Sequence, residues 1–319
     1  MRTHSHTPRI IALVAAAALC LAAGAAHAGL DILLTNDDGF DQIGVTTLRQ
    51  KLVDAGHHVT MVAPAAQQSG KGGSQNTEVF DFGAVMQLTN TTPGPNPVWS
   101  IAGTPADAAK AGLDIILSSP PDLIVSGLNF GQNLGKPASN TSGTEGAALI
   151  GVFRGIPAIA GSVAVDISES GAGFPSTVAA MAPAADFIVS IVGAIEADGF
   201  PSKTKMLNVN FPVPYEDIQG VAVTKLGDGA DIDFPLFDPS QGYPAFGIPP
   251  IPSFPPCSAS PVCFAAVGLG FSPFPDGEAN ADVDAHRGRL ITISPMDGNM
   301  SAGNKAEDAT DDLLGGLAP

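Results

Sequence analysis

The stretch LDILLTNDDGF, residues 30–40, joins a continuous apolar run to a polar turn that carries two adjacent carboxylates. An uninterrupted run of apolar, β-prone residues is typical of a strand that is buried on both faces of a parallel sheet. We therefore predict a strand over residues 30–35, with Asp37 and Asp38 just beyond its carboxyl end.

Strand-like and helix-like segments alternate from this strand to residue 214. Predicted strands cover residues 58–63, 85–88, 98–101, 122–126, 157–161, 206–211 and 283–294. Predicted helices cover residues 45–55, 106–117, 144–154 and 176–197, and a Gly/Asn-rich loop is predicted up to residue 141. The alternation predicts an α/β fold, a Rossmann-like doubly wound and mostly parallel sheet, over residues 29–214. Residues 215–319 are predicted to form a C-terminal extension with an acidic tail.

The first 28 residues have the pattern of a signal peptide. Basic residues precede an apolar run over residues 10–26, which ends in the small-residue sequence AHA. Such a signal peptide would direct export to the periplasm or the extracellular space and be cleaved before Gly29, with no membrane segment after cleavage. The alternative is an uncleaved membrane anchor.

The charge and the cysteines restrict the partners and the compartment. The sequence has 14 basic and 31 acidic residues, a formal charge of −17, which argues against binding to a nucleic acid polymer. After export Cys257 and Cys263 remain, and their spacing indicates a disulfide loop, with two unpaired thiols as the alternative. They lie in a segment rich in Pro, Phe and Gly, residues 234–275, which we predict to be an ordered arm rather than disordered.

Three polar clusters follow predicted strands, at the edge where ligands bind in open α/β sheets. They are Asn36-Asp37-Asp38, the loop 67–71 and the loop 126–133. Carboxylate, hydroxyl and amide oxygens together suit a hard cation such as Mg²⁺ or Mn²⁺. The alternative is a simple turn in which one aspartate caps the following helix and the other is solvated.

A fourth polar sequence, Ser142-Gly143-Thr144, precedes a predicted helix. Backbone N–H groups and hydroxyls at a helix N-terminus bind anions such as phosphate, although simple capping of the helix would use the same residue types. A cation site and an anion site at one edge of a sheet are what hydrolysis of a phosphate ester requires.

Six segments carry a resemblance to a known family. They are LLTNDDG, APAAQQSG, GTPADAA, PDLIVSGLNFGQNLG, SGTEGAALIGVFRGIPAIAGS and LNVNFP. Their order and approximate spacing resemble those of the SurE family of metal-dependent nucleotidases and acid phosphatases, and the resemblance covers residues 30–214. The resemblance implies a divalent cation, Mg²⁺ or Mn²⁺, and release of phosphate from nucleoside monophosphates. It also implies homo-dimers or tetramers formed through the C-terminal part.

The resemblance also assigns roles to single residues. The implied metal ligands are Asp37, Asp38, Ser69 and Asn129. The implied phosphate-binding residues are Asn133, Ser142, Gly143 and Thr144. Asn36 would support the acid pair, and Asp37 or Asp38 would accept the proton during hydrolysis.

Two departures from the family pattern leave other functions open. Gln67-Gln68 stand where the family usually has Asn-Arg, which removes a cation, and residues 136–141 lack the usual acidic pair and tyrosine. A protein that binds metal and nucleotide without hydrolysis is therefore the second hypothesis. A dinucleotide-binding protein is a third, weaker one, because no G-x-G-x-x-G sequence follows the first strand.

Overall fold

The computed structural model describes residues 29–76, 85–201, 205–233, 236–244, 249–267, 270–271 and 276–299. The predicted signal peptide and the acidic tail lie outside these residues. Part of the predicted arm, including residues 245–248 and 272–275, lies outside them as well.

Thirteen strands are found within the described residues. They are β1 (Asp31–Thr35), β2 (His58–Pro64), β3 (Leu88–Thr92), β4 (Val98–Ile101), β5 (Leu123–Phe130), β6 (Ala158–Val163), β7 (Met206–Phe211), β8 (Gly220–Val223), β9 (Ile232–Asp233), β10 (Leu236–Phe237), β11 (Ala266–Val267), β12 (Gly270–Phe271) and β13 (Leu290–Met296). Nine of them form one sheet in the order β3-β4-β2-β1-β5-β6-β7-β13-β8. The four short strands pair separately, β10 with β11 and β9 with β12.

The sheet confirms the predicted doubly wound α/β fold. Its six central strands, β4-β2-β1-β5-β6-β7, are all parallel, and the antiparallel pairs within it are β3 with β4 and β7 with β13. Successive strands extend the sheet first to one side of β1 and then, from β5 onward, to the other. The order therefore reverses between β1 and β5, which is where open α/β sheets form a crevice for ligands.

Helices cover both faces of this sheet. They are α1 (Ile43–Asp54), α2 (Pro105–Ala111), α3 (Gly135–Thr141), α4 (Gly143–Val152), α5 (Pro175–Asp198) and α6 (Asp282–Arg287). Ile32 and Leu34 of β1 pack in a core with α1 and α5, whereas Leu33 packs in a second core with α2 and α4. Successive strand residues point to opposite faces, so a strand between two layers of helices has to be apolar at every position.

Helix α5 is long and apolar enough to cross a membrane by length and composition, with a mean hydropathy of 2.0 over its most apolar window. Ala180, Ala184 and Ile188 on one of its faces are fully buried in the core against the sheet. A core helix of a soluble protein passes the same test of length and composition.

Three predictions about secondary structure were wrong in part. The Gly/Asn-rich segment is not a continuous loop, because β5 runs on to Phe130 beside β6 and residues 135–141 form α3. The strand predicted over residues 283–294 begins only at Leu290, since α6 precedes it and Arg289 turns the chain with a positive φ of 64°. The weak strand predicted at residues 85–88 is displaced to β3.

The C-terminal third contributes to the main sheet. Strands β8 and β13 both come from the segment predicted to be an extension, and β13 pairs with β7. Within the described part of the arm, Cys257 and Cys263 form a disulfide with their Cα atoms 4.9 Å apart.

Candidate active site

The acid pair follows β1 directly and lies in a turn that Asn36 holds. The Asn36 side chain is fully buried, and its Nδ2 donates to the carbonyl of Gly39 at 2.9 Å. Asp37 and Asp38 are only 3% and 6% exposed. The turn that Asn36 closes contains both carboxylates, and its supporting role in the reaction stays a prediction.

Each aspartate is held by donors from a different part of the chain. Asp38 accepts the Phe130 N–H at 2.8 Å and the Gln67 Nε2 at 3.0 Å, so β5 and the loop after β2 both reach it. Asp37 accepts the Thr144 hydroxyl at 2.6 Å, from the first turn of α4. Donors aimed at a carboxylate stabilise its ionised form.

Burial works against these donors. Burial, together with the charge of Asp38, raises the pKa of Asp37 to about 7, and the hydrogen bonds from Thr144 oppose the rise. Burial likewise raises the pKa of Asp38. Two buried carboxylates side by side are stable as anions only beside a positive charge, so the pair carries either a proton or a cation near neutral pH.

A further oxygen at this site lacks a partner. The Asn129 side chain is 6% exposed, and its Nδ2 donates to the Gly131 carbonyl at 2.6 Å. Its Oδ1 is buried and accepts no hydrogen bond from the described residues. An orphaned buried acceptor is uncommon, and it fits a ligand that supplies positive charge. The four predicted metal ligands thus offer two carboxylates, an amide oxygen and the Ser69 hydroxyl, a donor set that suits a hard divalent cation.

The predicted phosphate-binding residues lie close to the acid pair, with different exposures. Ser142 caps α4 by accepting the Glu145 N–H at 3.1 Å, and it also lines the cleft beside Asp37. Gly143 packs so tightly that a Cβ there would lie 2.7 Å from the Cβ of Asp37. Thr144 is fully buried and its hydroxyl is directed to Asp37, so its predicted contact with phosphate stays a prediction.

Asn133 lines the same cleft and is anchored from β6 and β7. Its Nδ2 donates to the Ser162 hydroxyl at 2.9 Å, and its backbone carbonyl accepts from Asn208 at 2.9 Å and Asn210 at 3.0 Å. Sequence reasoning missed this support. The alternation of asparagine with apolar residues in LNVNF was the available signal, because strand period places both asparagines on one face.

A single cleft of about 680 Å³ joins the two groups of residues. Asp37, Ser69 and Asn129 of the first group and Asn133 and Ser142 of the second line it. Phe130, Val165 and Ile167 add an apolar surface. Among the described residues, the lining includes no lysine or arginine.

Comparison with known proteins identifies the family. Residues 32–231 match the family described as "Survival protein SurE". The chain belongs to the SurE family. A 5'-nucleotidase SurE of Thermosynechococcus vestitus is 33% identical over 281 residues, which cover 88% of this chain and 95% of the relative. A 5'-nucleotidase SurE of Gloeobacter violaceus is 40% identical over 198 residues, 61% of this chain and 70% of the relative.

A solved SurE structure shares the fold. The crystal structure of the SurE protein from Aquifex aeolicus superposes with a TM-score of 0.65 and 27% sequence identity, covering 88% of this chain and 98% of that one. Coverage of this extent reaches past residue 214, so the similarity to SurE proteins includes part of the C-terminal third.

The raised pKa of Asp37 predicts a pH-dependent response of this SurE protein to metal. The pKa of Asp37 in the folded chain is about 7 and its ordinary value is 3.8. The metal-free protein should therefore lose stability as the pH rises through that interval, because ionisation is unfavourable in the fold. A divalent cation at this site would bind the ionised form of the pair, so the rise in Tm on adding Mn²⁺ should be larger at about pH 8 than at about pH 5.

Thermal unfolding in chelator and in Mn²⁺ across this pH range measures the effect. The Asp37→Asn variant is the control. It keeps Glu145, whose pKa burial raises to about 8, so the difference in pH dependence between the variant and the unmodified protein is due to Asp37. An Mn²⁺-induced rise in Tm that is equal at both pH values in the unmodified protein would contradict the assignment.

Proposed function

We propose that this SurE-family protein is a metal-dependent phosphomonoesterase that releases phosphate from nucleoside monophosphates. The observation that carries the proposal is that three features line one cleft at the β1–β5 crevice: Asp37 of the buried acid pair, Asn129 with an amide oxygen that is unpartnered among the described residues, and Ser142, the N-cap of α4. The names of the relatives, 5'-nucleotidases, support the same reaction.

Asp37, Asp38, Ser69 and Asn129 would hold the divalent cation. When bound, Mg²⁺ or Mn²⁺ polarises the phosphoryl oxygen and lowers the pKa of a water molecule. The protein residues supply the rest: the N-terminus of α4 places its positive dipole end, with Ser142 and Gly143, toward the phosphate. Asn133, which lines the same cleft, orients the phosphate, and one of the two aspartates accepts the proton.

The cleft also has room and a suitable surface for a nucleoside. Its volume of about 680 Å³ exceeds what phosphate alone requires, and Phe130, Val165 and Ile167 present apolar groups to it. Aromatic rings stack on nucleobases, and aliphatic side chains pack against their faces. We propose that this wall receives the base.

A second candidate function is metal-dependent binding of nucleotide without hydrolysis. Phosphoryl transfer commonly uses Arg or Lys to stabilise charge that develops in the transition state, and the described lining of the cleft has neither. Lys71 is the basic residue of the loop 67–71, and it lines a separate pocket with Gln68. Two results together would favour this function: a nucleoside monophosphate binds only when metal is present, and no phosphate is released from a panel of phosphate esters.

We also propose export, with the mature chain beginning at Gly29 and assembling as a homo-dimer or tetramer. The Cys257–Cys263 disulfide supports an oxidising compartment. N-terminal sequencing of the protein from separated cell fractions tests both parts: the chain in the periplasm or the medium should begin at Gly29. Protein confined to the cytoplasmic fraction would contradict the export, and an exported chain that still begins at Met1 would contradict the cleavage.

Replacement of both acids tests the reaction itself. The double variant Asp37→Asn, Asp38→Asn should lose Mg²⁺- or Mn²⁺-dependent release of phosphate from nucleoside monophosphates by more than about 100-fold, because it removes both charged ligands. The variant should fold, since amides replace buried carboxylates without change of size, and circular dichroism in chelator checks this. Activity equal to that of the unmodified protein would contradict the proposal.

Replacement of Phe130 tests the base-binding wall. Phe130→Ala keeps the backbone N–H that holds Asp38 but removes the ring from the cleft. Its kcat/KM should fall about 10-fold more for a nucleoside monophosphate than for glycerol phosphate, since stacking of a base on a ring contributes roughly 1–3 kcal/mol.

Phe174→Ala is the matched control for Phe130→Ala. The Phe174 ring packs edge-to-face on Phe130, with centroids 5.6 Å apart, but does not line the cleft. An equal loss on both substrates in Phe130→Ala, or the same selectivity change in Phe174→Ala, would show that the ring acts only through packing.

A further inference from the structure

The side chain of Gln67 connects two of the four proposed metal ligands. Its Nε2 donates to Asp38 Oδ1 at 3.0 Å. Its Oε1 accepts both the backbone N–H of Ser69 at 2.7 Å and the hydroxyl of Ser69 at 2.9 Å. One carboxamide therefore links the end of β1 to the loop that follows β2.

Ser69 needs such a link because its position does not restrain it. It is exposed, and the next residue, Gly70, has a positive φ of 77° in a loop without helix or strand. An exposed serine hydroxyl samples several rotamers, and ordering it costs conformational entropy. The two hydrogen bonds to Gln67 restrain both the backbone N–H and the hydroxyl of Ser69.

The directions of these hydrogen bonds leave acceptors free for a cation. The Ser69 hydroxyl uses its proton toward Gln67, so its lone pairs remain available. Asp38 accepts Gln67 on Oδ1 and the Phe130 N–H on Oδ2, and each oxygen keeps a further lone pair. Gln67 and Phe130 thus orient the carboxylate from two sides without filling its coordination sites.

We propose that Gln67 is a positioning residue that pre-forms the half of the cation site made by Asp38 and Ser69. The inference rests on the proposed metal site and adds a residue that does not itself touch the metal. Partners of metal ligands commonly contribute 10- to 100-fold to metal affinity because they fix ligand orientation.

Gln68 provides a matched control of the same residue type. Its backbone N–H donates to the Asp37 carbonyl at 2.7 Å, a bond that survives any change of its side chain. Its side chain belongs to a separate pocket of about 420 Å³ with Lys71, Ser74 and Thr104, and does not line the cleft. A role for Gln67 through its amide should therefore not be shared by Gln68.

Calorimetric titration of the mature chain with Mn²⁺ tests the proposal without measuring activity. Gln67→Ala should weaken Mn²⁺ binding by about 10-fold or more, and Gln68→Ala should change it by less than about 2-fold. If Gln67 acts partly through Ser69, the double variant Gln67→Ala, Ser69→Ala should lose less affinity than the product of the two single losses.

Controls separate failure of this inference from failure of the metal site. Absence of Mn²⁺ binding in the unmodified chain, or binding unchanged in Asp37→Asn, Asp38→Asn, would overturn the metal site itself. Mn²⁺ binding in the unmodified chain that Gln67→Ala leaves unchanged would overturn only the role of Gln67. Gln67→Met retains the side-chain length without the amide and should weaken binding to a similar extent, so the test stands if the alanine variant fails to fold.

Discussion

The rest of the site depends on one constraint, the burial of the adjacent carboxylates of Asp37 and Asp38. Burial and repulsion by Asp38 raise the pKa of Asp37. The negative charge of the pair therefore has to be offset by protons, hydrogen-bond donors or a cation. Three separate segments supply hydrogen-bond donors to the pair. They are the hydroxyl of Thr144 in α4, the backbone N–H of Phe130 at the end of β5, and the side-chain amide of Gln67 after β2. These donors hold the carboxylates in place but do not neutralise them, which is why a divalent cation completes the site in our account.

The topology of the sheet explains how residues about a hundred positions apart come together. The strand order reverses between β1 and β5, so the segments after these two strands diverge to opposite faces and leave a crevice between them. The acid pair follows β1, and Asn129 lies near the end of β5 on the other side of that crevice. Helix α4 then starts beside Asp37, where Gly143 allows the close approach. Three of the proposed metal ligands, Asp37, Ser69 and Asn129, therefore line one cleft with Ser142, the N-cap of α4.

Much of the fold follows from apolar pattern alone. The strand after residue 30 was predicted to within one residue, because a strand covered on both faces is mostly apolar. Strand β7 was predicted with both ends correct although Asn208 and Asn210 interrupt its apolar sequence. The parallel order followed from the alternation of strands with helices. The pattern failed where tertiary contacts decide structure.

Helix α3 shows that failure most clearly. Its sequence GKPASNT has no apolar period, yet it is helical because other segments hold it. Gly135 N–H donates to Asp282 at 3.1 Å and Lys136 N–H to Gly227 at 2.8 Å, both from the C-terminal third, and Ser139 is bonded to Glu145. Contacts of this separation leave no local signal in a sequence.

The candidate site divides in the same way. Residues in the polar turns could be found from their position at strand ends, and the structure brings Asp37, Ser69, Asn129, Asn133 and Ser142 to one cleft. The support given by Gln67 could not be assigned, because it depends on the direction of its side chain and not on its order in the chain. For Asn208 and Asn210 the strand period placed both on one face, but it did not show that they hold Asn133. The sequence marks Gln67 only as the first residue of the Gln67-Gln68 departure from Asn-Arg, whereas its side chain links Asp38 and Ser69, two of the proposed ligands.

The central claim is that a divalent cation sits between the acid pair and Asn129. Anomalous diffraction from a crystal of the mature protein grown with Mn²⁺, measured at the manganese absorption edge, tests it most directly. The account predicts one strong peak in contact with carboxylate oxygens of the Asp37–Asp38 pair and with the orphaned Oδ1 of Asn129, at roughly 2.0–2.3 Å. A peak located elsewhere on the molecule, or none at this site at saturating Mn²⁺, would contradict it.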